Sequence, residues 1–327
     1  MTEAESNYIP AYDDVVAARE RITPYIHRTP VLTSSYFNQL TGAELFFKCE
    51  NFQKAGVFKV RGACNAVFGL SAEQAGKGVA THSSGNHALS LSYAAGRRGI
   101  KASVVMPRTA AEAKKAAVRG YGGEVFECEP STTARETMLE ELVARTGADF
   151  VHPYNDHRVI AGQATCALEL HEDAGPLDAV VAPIGGGGMI SGTCLAMSRV
   201  SPDTKIYAAE PTNADDAYRS FKAGKIIEDD APETVADGLK VSLRPRTWHF
   251  VSTCLSDILL ASEKEIIDAM HLTWQRMKII IEPSSSVPLA TIINNRELFA
   301  GKRVGVILTG GNVDLKKLPW MNTHALT

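Results

Sequence analysis

Nothing in the 327 residues forms an uncharged apolar run long enough to span a bilayer, which argues against a membrane-spanning helix. A basic excess is missing too. The 34 lysines and arginines stand against 37 acidic residues, a formal charge of −3, which speaks against a broad nucleic-acid surface. The N-terminus, MTEAESNYIP, has neither the basic start nor the apolar stretch of a secretory signal, so a cytoplasmic location is expected. The six cysteines (49, 64, 128, 166, 194 and 254) include no Cys-x-x-Cys pair and no His–Cys cluster, which argues against structural zinc or a disulfide framework. Several, such as Cys166 in GQATCALEL, lie in apolar stretches where a thiol packs as a small core residue. A sharp Pro/Gly linker, internal repeats and low-complexity tracts are also lacking, so a simple end-to-end split into domains is not expected. The sequence ends soon after its last apolar run, so an appended regulatory domain is not expected.

What is present is the 45% hydrophobic, 22% charged mix of an ordinary globular protein, long enough for two packed lobes. Short apolar runs alternate with helical patterns. GVATH (78–82) precedes a helix-like stretch at 86–97, KASVVMP (101–107) one at 110–121, and GEVFE (123–127) one at 133–145. After ADFVHP come a helical stretch at 161–172, the run DAVVAP (178–183) and a helix from about 188; KIYAAE, ILLAS and RVGVILTGG continue the rhythm. Runs that are apolar throughout, alternating with helices, predict an α/β fold of mostly parallel open sheets covered by helices on both faces. Ligands in such folds collect in loops after the strands' carboxyl ends, and HSSGNH, PIGGGGM and LTGGN fall there.

Four segments carry chemistry. In KCENFQKAGVFKVRGA, Lys59 lies in a mostly apolar stretch ahead of a helix. Burial and the neighbouring charge of Arg61 would both lower its pKa and favour the nucleophilic amine, although most lysines are plain surface charges. Ser83-Ser84-Gly85-Asn86-His87 joins a strand to a helix, where free amides attract a carboxylate or phosphate; an ordinary helix cap is the competing reading. Gly185-Gly186-Gly187-Gly188-Met189 follows DAVVAP directly and offers a row of amides at a helix start, an anion cradle. It lacks the lysine of a nucleotide-binding P-loop, but Gly185, Gly187, Gly192 and Glu210 partly imitate a dinucleotide fingerprint, keeping an NAD-dependent dehydrogenase as a rival. In Glu210-Pro-Thr-Asn-Ala214-Asp-Asp216, two carboxylates and a carbonyl could hold a hard divalent cation; a helix cap at Asp215 or Asp216 is the plainer account.

Taken in order, FKVRGA, HSSGNHA, VIAGQAT, PIGGGGMISG, AAEPTNADDAYRS, TVADGL and EPSSSVPLA resemble the serine racemase and serine/threonine dehydratase family of pyridoxal phosphate enzymes over nearly the whole chain. The resemblance implies fold type II, the tryptophan synthase β-like arrangement, with a large domain from 1–77 and 152–327 and a small domain, 78–151, closing over the site. It implies that Lys59 carries the cofactor as an imine, that Phe58 packs beside its ring, and that Asn86 hydrogen-bonds its phenolic oxygen. Gly185 to Met189 would bind the phosphate and Thr309 the ring nitrogen. Ser83, Ser84, Gly85, Asn86 and His87 would receive the substrate, with Ser84 acting on the face opposite Lys59. Glu210, Ala214 and Asp216 would bind Mg²⁺ (or Ca²⁺ or Mn²⁺). A homodimer with a small amino-acid substrate, and neither nucleic-acid nor membrane partners, is implied as well.

Within that family, CENFQKAGVFKVRGA, HPYND, DDAYRSFKAG and EPSSSVPLATI are similar to bacterial β-hydroxyaspartate dehydratases, with serine racemase or dehydratase and threonine dehydratase as alternatives. A second substrate carboxylate would need donors, for which Arg135, His82, His152 and Tyr154 are candidates. Val57 stands where the family commonly has serine, and Ala88-Leu89 replaces a Gly-Gln of animal serine racemases, against nucleotide activation through that glutamine. Pro288 and Ser284 to Ser286 alter a segment expected to be a loop near the cofactor. A non-catalytic binding protein on the same scaffold is a further alternative.

Overall fold

The structure, a computed structural model, describes residues 8–229 and 231–321. Ten strands form two sheets: β1 (Val31–Leu32), β2 (Glu44–Cys49), β3 (Val79–His82), β4 (Ala102–Pro107), β5 (Glu124–Cys128), β6 (Asp149–Phe150), β7 (Ala179–Pro183), β8 (Lys205–Pro211), β9 (Asp257–Ala261) and β10 (Arg303–Leu308). The larger sheet runs β1-β2-β10-β7-β8-β9 and the smaller β5-β4-β3-β6. Every pairing is parallel except β1 with β2, where Val31 lies opposite Lys48.

The apolar runs are strands because both faces of the large sheet are covered. Val180, Ala182 and Ile307 pack into one core with Ile160, Ala164, Ile190 and Cys194 of two helices, His157–Ala174 and Gly188–Val200. Val181, Val304 and Val306 face a second core with Ile266, Met270, Val287 and Leu289 from Glu263–Met277 and Pro283–Asn294. The segment 284–288, expected as a loop, is therefore helical. Pro283 stands in the first turn, where a missing N–H costs nothing, and burial of Ser284 to Leu289 holds the helix despite Pro288 inside it.

Helix His157–Ala174 is the spine of the molecule. A Cβ on its Gly162 would lie 2.6 Å from the Cα of Gly62, so the helix Lys59–Phe68 touches it backbone to backbone. A Cβ on Gly192 would lie 2.6 Å from the amide nitrogen of Ala164, so Gly188–Val200 docks equally close. The first turns of both docked helices, one starting at Lys59 and the other at the glycine loop, are thereby fixed against one support.

Below Lys59 lies a buried ionic network. Arg61 donates to Glu50 through Nε and Nη2 (2.8 Å each) and to Glu169 through Nη1 (2.8 Å) and Nη2 (2.7 Å). Lys48 reaches Glu169 at 2.7 Å, and Thr29 donates to Glu50 at 2.5 Å. All six cysteines are free thiols, and no helix among the described residues is long and apolar enough to cross a membrane.

Candidate active site

The carboxyl ends of β3, β7, β8 and β10 carry the loops singled out above. Lys59 opens its helix and lines the cleft, half-buried, with its Nζ donating to the carbonyl of Pro153 at 2.8 Å. Surrounding protein desolvates the ammonium form and pulls the pKa from 10.5 to about 8, while Glu282 opposes the shift. Arg61 is not what lowers it. Two positions along a helix point apart, and the guanidinium is consumed by Glu50 and Glu169.

The Ser83–His87 loop is not an ordinary cap. Gly85 is the N-cap of helix Asn86–Arg98 and no side chain caps it; the Ser83 hydroxyl accepts only from the Gly85 amide, at 3.3 Å. Ser84, partly accessible, makes no hydrogen bond to another of these residues among those described. The amides of this helix start are therefore left for a ligand. His87 is buried with its Nε2 3.1 Å from the Val151 carbonyl, and burial pushes its pKa to about 3, so it is neutral.

The glycine loop is packed tightly from behind. A Cβ on Gly186 would meet the Tyr154 ring at 2.5 Å, one on Gly185 the Leu239 Cα at 2.8 Å, and one on Gly187, at φ +86°, Leu243 and Thr247 at 2.9 Å. Among the described residues, the amides from Gly185 to Met189 have no protein acceptor. Thr309 is buried at the end of β10; its hydroxyl lies 3.0 Å from that of Ser285, and its carbonyl accepts from the Phe58 amide at 3.0 Å.

Glu282 was missed by sequence reading, although EPSSSVPLA contains it. It is buried, accepts from Asn86 Nδ2 at 2.9 and 3.1 Å, and is raised to about 7, chiefly by burial. The position of a carboxylate before a helix-starting proline was the available signal. Asn312, which donates to Asn86 Oδ1 at 2.9 Å, was missed as well.

Three of the candidates for a second carboxylate, His82, His152 and Tyr154, lie together. The His82 and His152 rings lie 6.2 Å apart, and His152 packs edge-on against Tyr154 at 4.6 Å. His152 accepts through Nδ1 from the amides of Tyr154 and Asn155 (3.3 and 3.0 Å), and burial holds it neutral, its pKa lowered to about 3. His82 is lowered first by burial, then by Arg135, and also by Arg244. Arg244, which sequence reading missed, lies in the loop whose Ser242 carbonyl accepts from the Tyr154 hydroxyl at 3.0 Å.

Glu210 rather than Asp215 or Asp216 caps the helix Asp216–Ala223, accepting from the amides of Ala217 (2.9 Å) and Tyr218 (2.8 Å). Burial and then Asp216 raise Glu210 to about 9; Asp216 rises to about 6, mainly by burial, and its Oδ2 is buried without a partner. Among the described residues no three metal-ligating His, Cys, Asp or Glu side chains gather. Two carboxylates whose ionisation is disfavoured, one with an orphaned oxygen, do fit a cation completed by a backbone carbonyl. The dinucleotide alternative loses its parts here. Gly192 serves helix packing, and Glu210 is occupied by two amides.

A cleft with a weakly basic lysine between two sets of free helix-start amides, at the ends of parallel strands, defines an enzyme that binds an anionic cofactor through an amine. The chain belongs to the pyridoxal-phosphate dependent enzyme family, whose sequence profile matches residues 22–310. It is 68% identical over 313 residues, 96% of this chain and 99% of the other, to a β-hydroxyaspartate dehydratase of Paracoccus denitrificans (strain Pd 1222). The crystal structure of serine racemase from Dictyostelium discoideum matches with a TM-score of 0.90 at 46% identity, covering 94% of this chain and 99% of that one. The crystal structure of a threonine deaminase (T.th.) matches with a TM-score of 0.89 at 41% identity, covering 93% and 99%. The residues fit the family's cofactor: an amine near neutral pKa, a cradle of unpaired amides for its phosphate and a buried neutral hydroxyl at Thr309.

Proposed function

We propose that the protein removes water from β-hydroxyaspartate, giving iminosuccinate, which hydrolyses to an oxo acid and ammonia. The observation that carries the reaction class is Lys59, an amine of lowered basicity where the glycine loop and the Ser83–His87 loop converge. The substrate is supported by the near-full-length likeness to the Paracoccus dehydratase.

When bound, pyridoxal phosphate supplies a carbonyl for amine exchange and a ring that withdraws electrons from the substrate's Cα. Lys59 would hold the cofactor through its amine and, of lowered basicity, would serve as the base for the Cα proton. Ser84 would act on the face opposite Lys59, giving or taking a proton there, which would permit racemisation beside elimination. The amides of Gly185 to Met189 would hold the phosphate, Phe58 would pack beside the ring and Asn86 would donate to the phenolic oxygen. Thr309, a neutral hydroxyl 3.0 Å from that of Ser285, would be the partner of the ring nitrogen and, carrying no charge, would not hold it protonated. Ser83, Gly85, Asn86 and His87 would surround the α-carboxylate, with Arg135 the candidate to receive the second one. The segment 78–151 acts as a small domain closing on the remainder, and the protein works as a homodimer.

Stereodefined serine, threonine and β-hydroxyaspartate, assayed for ammonia and oxo acid, test the substrate. One hydroxyaspartate isomer should give the highest kcat/KM; serine outpacing every isomer by a wide margin would overturn the assignment and favour a serine racemase or dehydratase.

Glu210, the Ala214 carbonyl and Asp216 form the proposed Mg²⁺ site. A chelator should lower the thermal midpoint, because an ion held only by the folded form stabilises it, and Asp216→Asn should remove that response. A midpoint indifferent to chelation in the wild type would count against the site.

A further inference from the structure

An asparagine amide has the same shape either way round, so only its partners decide which end presents a donor. A short polar string makes that decision for Asn86. It starts at Ala55, one of two non-glycine residues among those described with a left-handed backbone, at φ 52°. Such a conformation is disfavoured for any residue with a Cβ and persists only where its surroundings impose it. The turn is zipped to the segment after β10, with Gly311 N donating to Gly56 O at 2.9 Å and Val57 bridged to Gly310. In this conformation the Ala55 carbonyl, an obligate acceptor, meets Asn312 Nδ2 at 3.0 Å, which fixes the orientation of Asn312. The same Nδ2 donates to Asn86 Oδ1 at 2.9 Å. At its other end, Asn86 Nδ2 donates to both oxygens of Glu282, whose own amide is held by the Gly310 carbonyl at 3.0 Å. A flipped Asn86 would set oxygen against carboxylate and nitrogen against nitrogen.

We propose that Glu282 and Asn312 are positioning residues that lock the amide of Asn86 with its nitrogen side available to the cofactor, so that the phenolic oxygen always meets a donor and never an acceptor. This rests on the reading that Asn86 contacts that oxygen. Asn86 Nδ2 carries two hydrogens; with one shared between the two oxygens of Glu282, the second is left for the cofactor.

The test is the absorption spectrum of the holoenzyme. A donor at the phenolic oxygen favours the charge-separated form of the lysine-bound cofactor, which absorbs at longer wavelength. Asn86→Ala should shift the spectrum toward the short-wavelength band. Glu282→Gln and Asn312→Asp should each shift it partway in the same direction. The double variant reverses both ends of the string: the introduced glutamine can donate to Oδ1 of Asn86, and the introduced aspartate can only accept from Nδ2. It should shift the spectrum at least as far as Asn86→Ala. Loss of the Asn86 contact should lower kcat by about tenfold with a smaller change in KM, the size of one hydrogen bond to a charged group. Asn312 is exposed, so its substitution leaves the core intact; should Glu282→Gln fail to fold, Asn312→Asp decides alone. If Asn86→Ala leaves the spectrum unchanged, the placement of Asn86 at the cofactor falls and this proposal with it. If Asn86→Ala shifts the spectrum while both positioning variants and their combination retain the wild-type ratio, the proposal alone falls.

Discussion

Lys59→Ala should lose about 10³-fold or more in turnover and the long-wavelength absorption of a lysine-linked cofactor together, because one side chain supplies both the covalent anchor and the base. Lys48, the other lysine in the core nearby, cannot take its place, being spent on Glu169 at 2.7 Å and on the Thr29 carbonyl at 2.8 Å. An intact band in the variant would end the assignment. The same amine sets the pH dependence of cofactor uptake by the apoprotein. Only the neutral form attacks a carbonyl, and its pKa is lowered from 10.5 to about 8. Uptake should therefore climb about tenfold per pH unit up to about pH 8 and level off above it. A climb continuing toward 10.5 would show an unperturbed lysine.

The second large effect is on stability. Arg61→Met should cost about 3–5 kcal/mol, since it strands Glu50 and removes one partner of Glu169, both buried, without replacing their charge balance. For contrast, Arg19→Ala breaks a pair with Glu172 whose side chains are 43% and 31% exposed, and should cost no more than about 1 kcal/mol. Urea midpoints at unchanged slope measure both. If the Arg61 variant shifted no further than the Arg19 one, the network would have little part in seating the Lys59 helix.

Arg61 also shows where sequence reading stopped. Its nearness to Lys59 in the chain suggested an electrostatic influence, but its partners are Glu50 and Glu169, eleven and 108 residues away. Strands buried on both faces advertise themselves as unbroken apolar runs, so β3, β4, β7 and β10 were legible. β2 was not, because Lys48 interrupts it and the glutamate that makes this burial tolerable is 121 residues distant. The serine-rich start of helix Pro283–Asn294 reads locally as a loop; only packing against both sheet and neighbouring helix makes it helical. The loops of the site were found by their glycines and their position after strands. Glu282, Asn312 and Arg244 were overlooked because their significance lies in what they touch.

The outermost strands have a consequence for behaviour at high concentration. Of the four sheet edges, two are strands of only two residues, β1 and β6, too short to template a neighbour. A third, β5, places Glu124 and Glu127 along its length, and the fourth, β9, begins at Asp257, tied to Lys222 at 2.7 Å. Unpaired backbone at such edges invites strand-to-strand aggregation, and shortness and charge are what oppose it. Among the described residues, neither sheet thus presents a long, flat, uncharged ribbon to another chain.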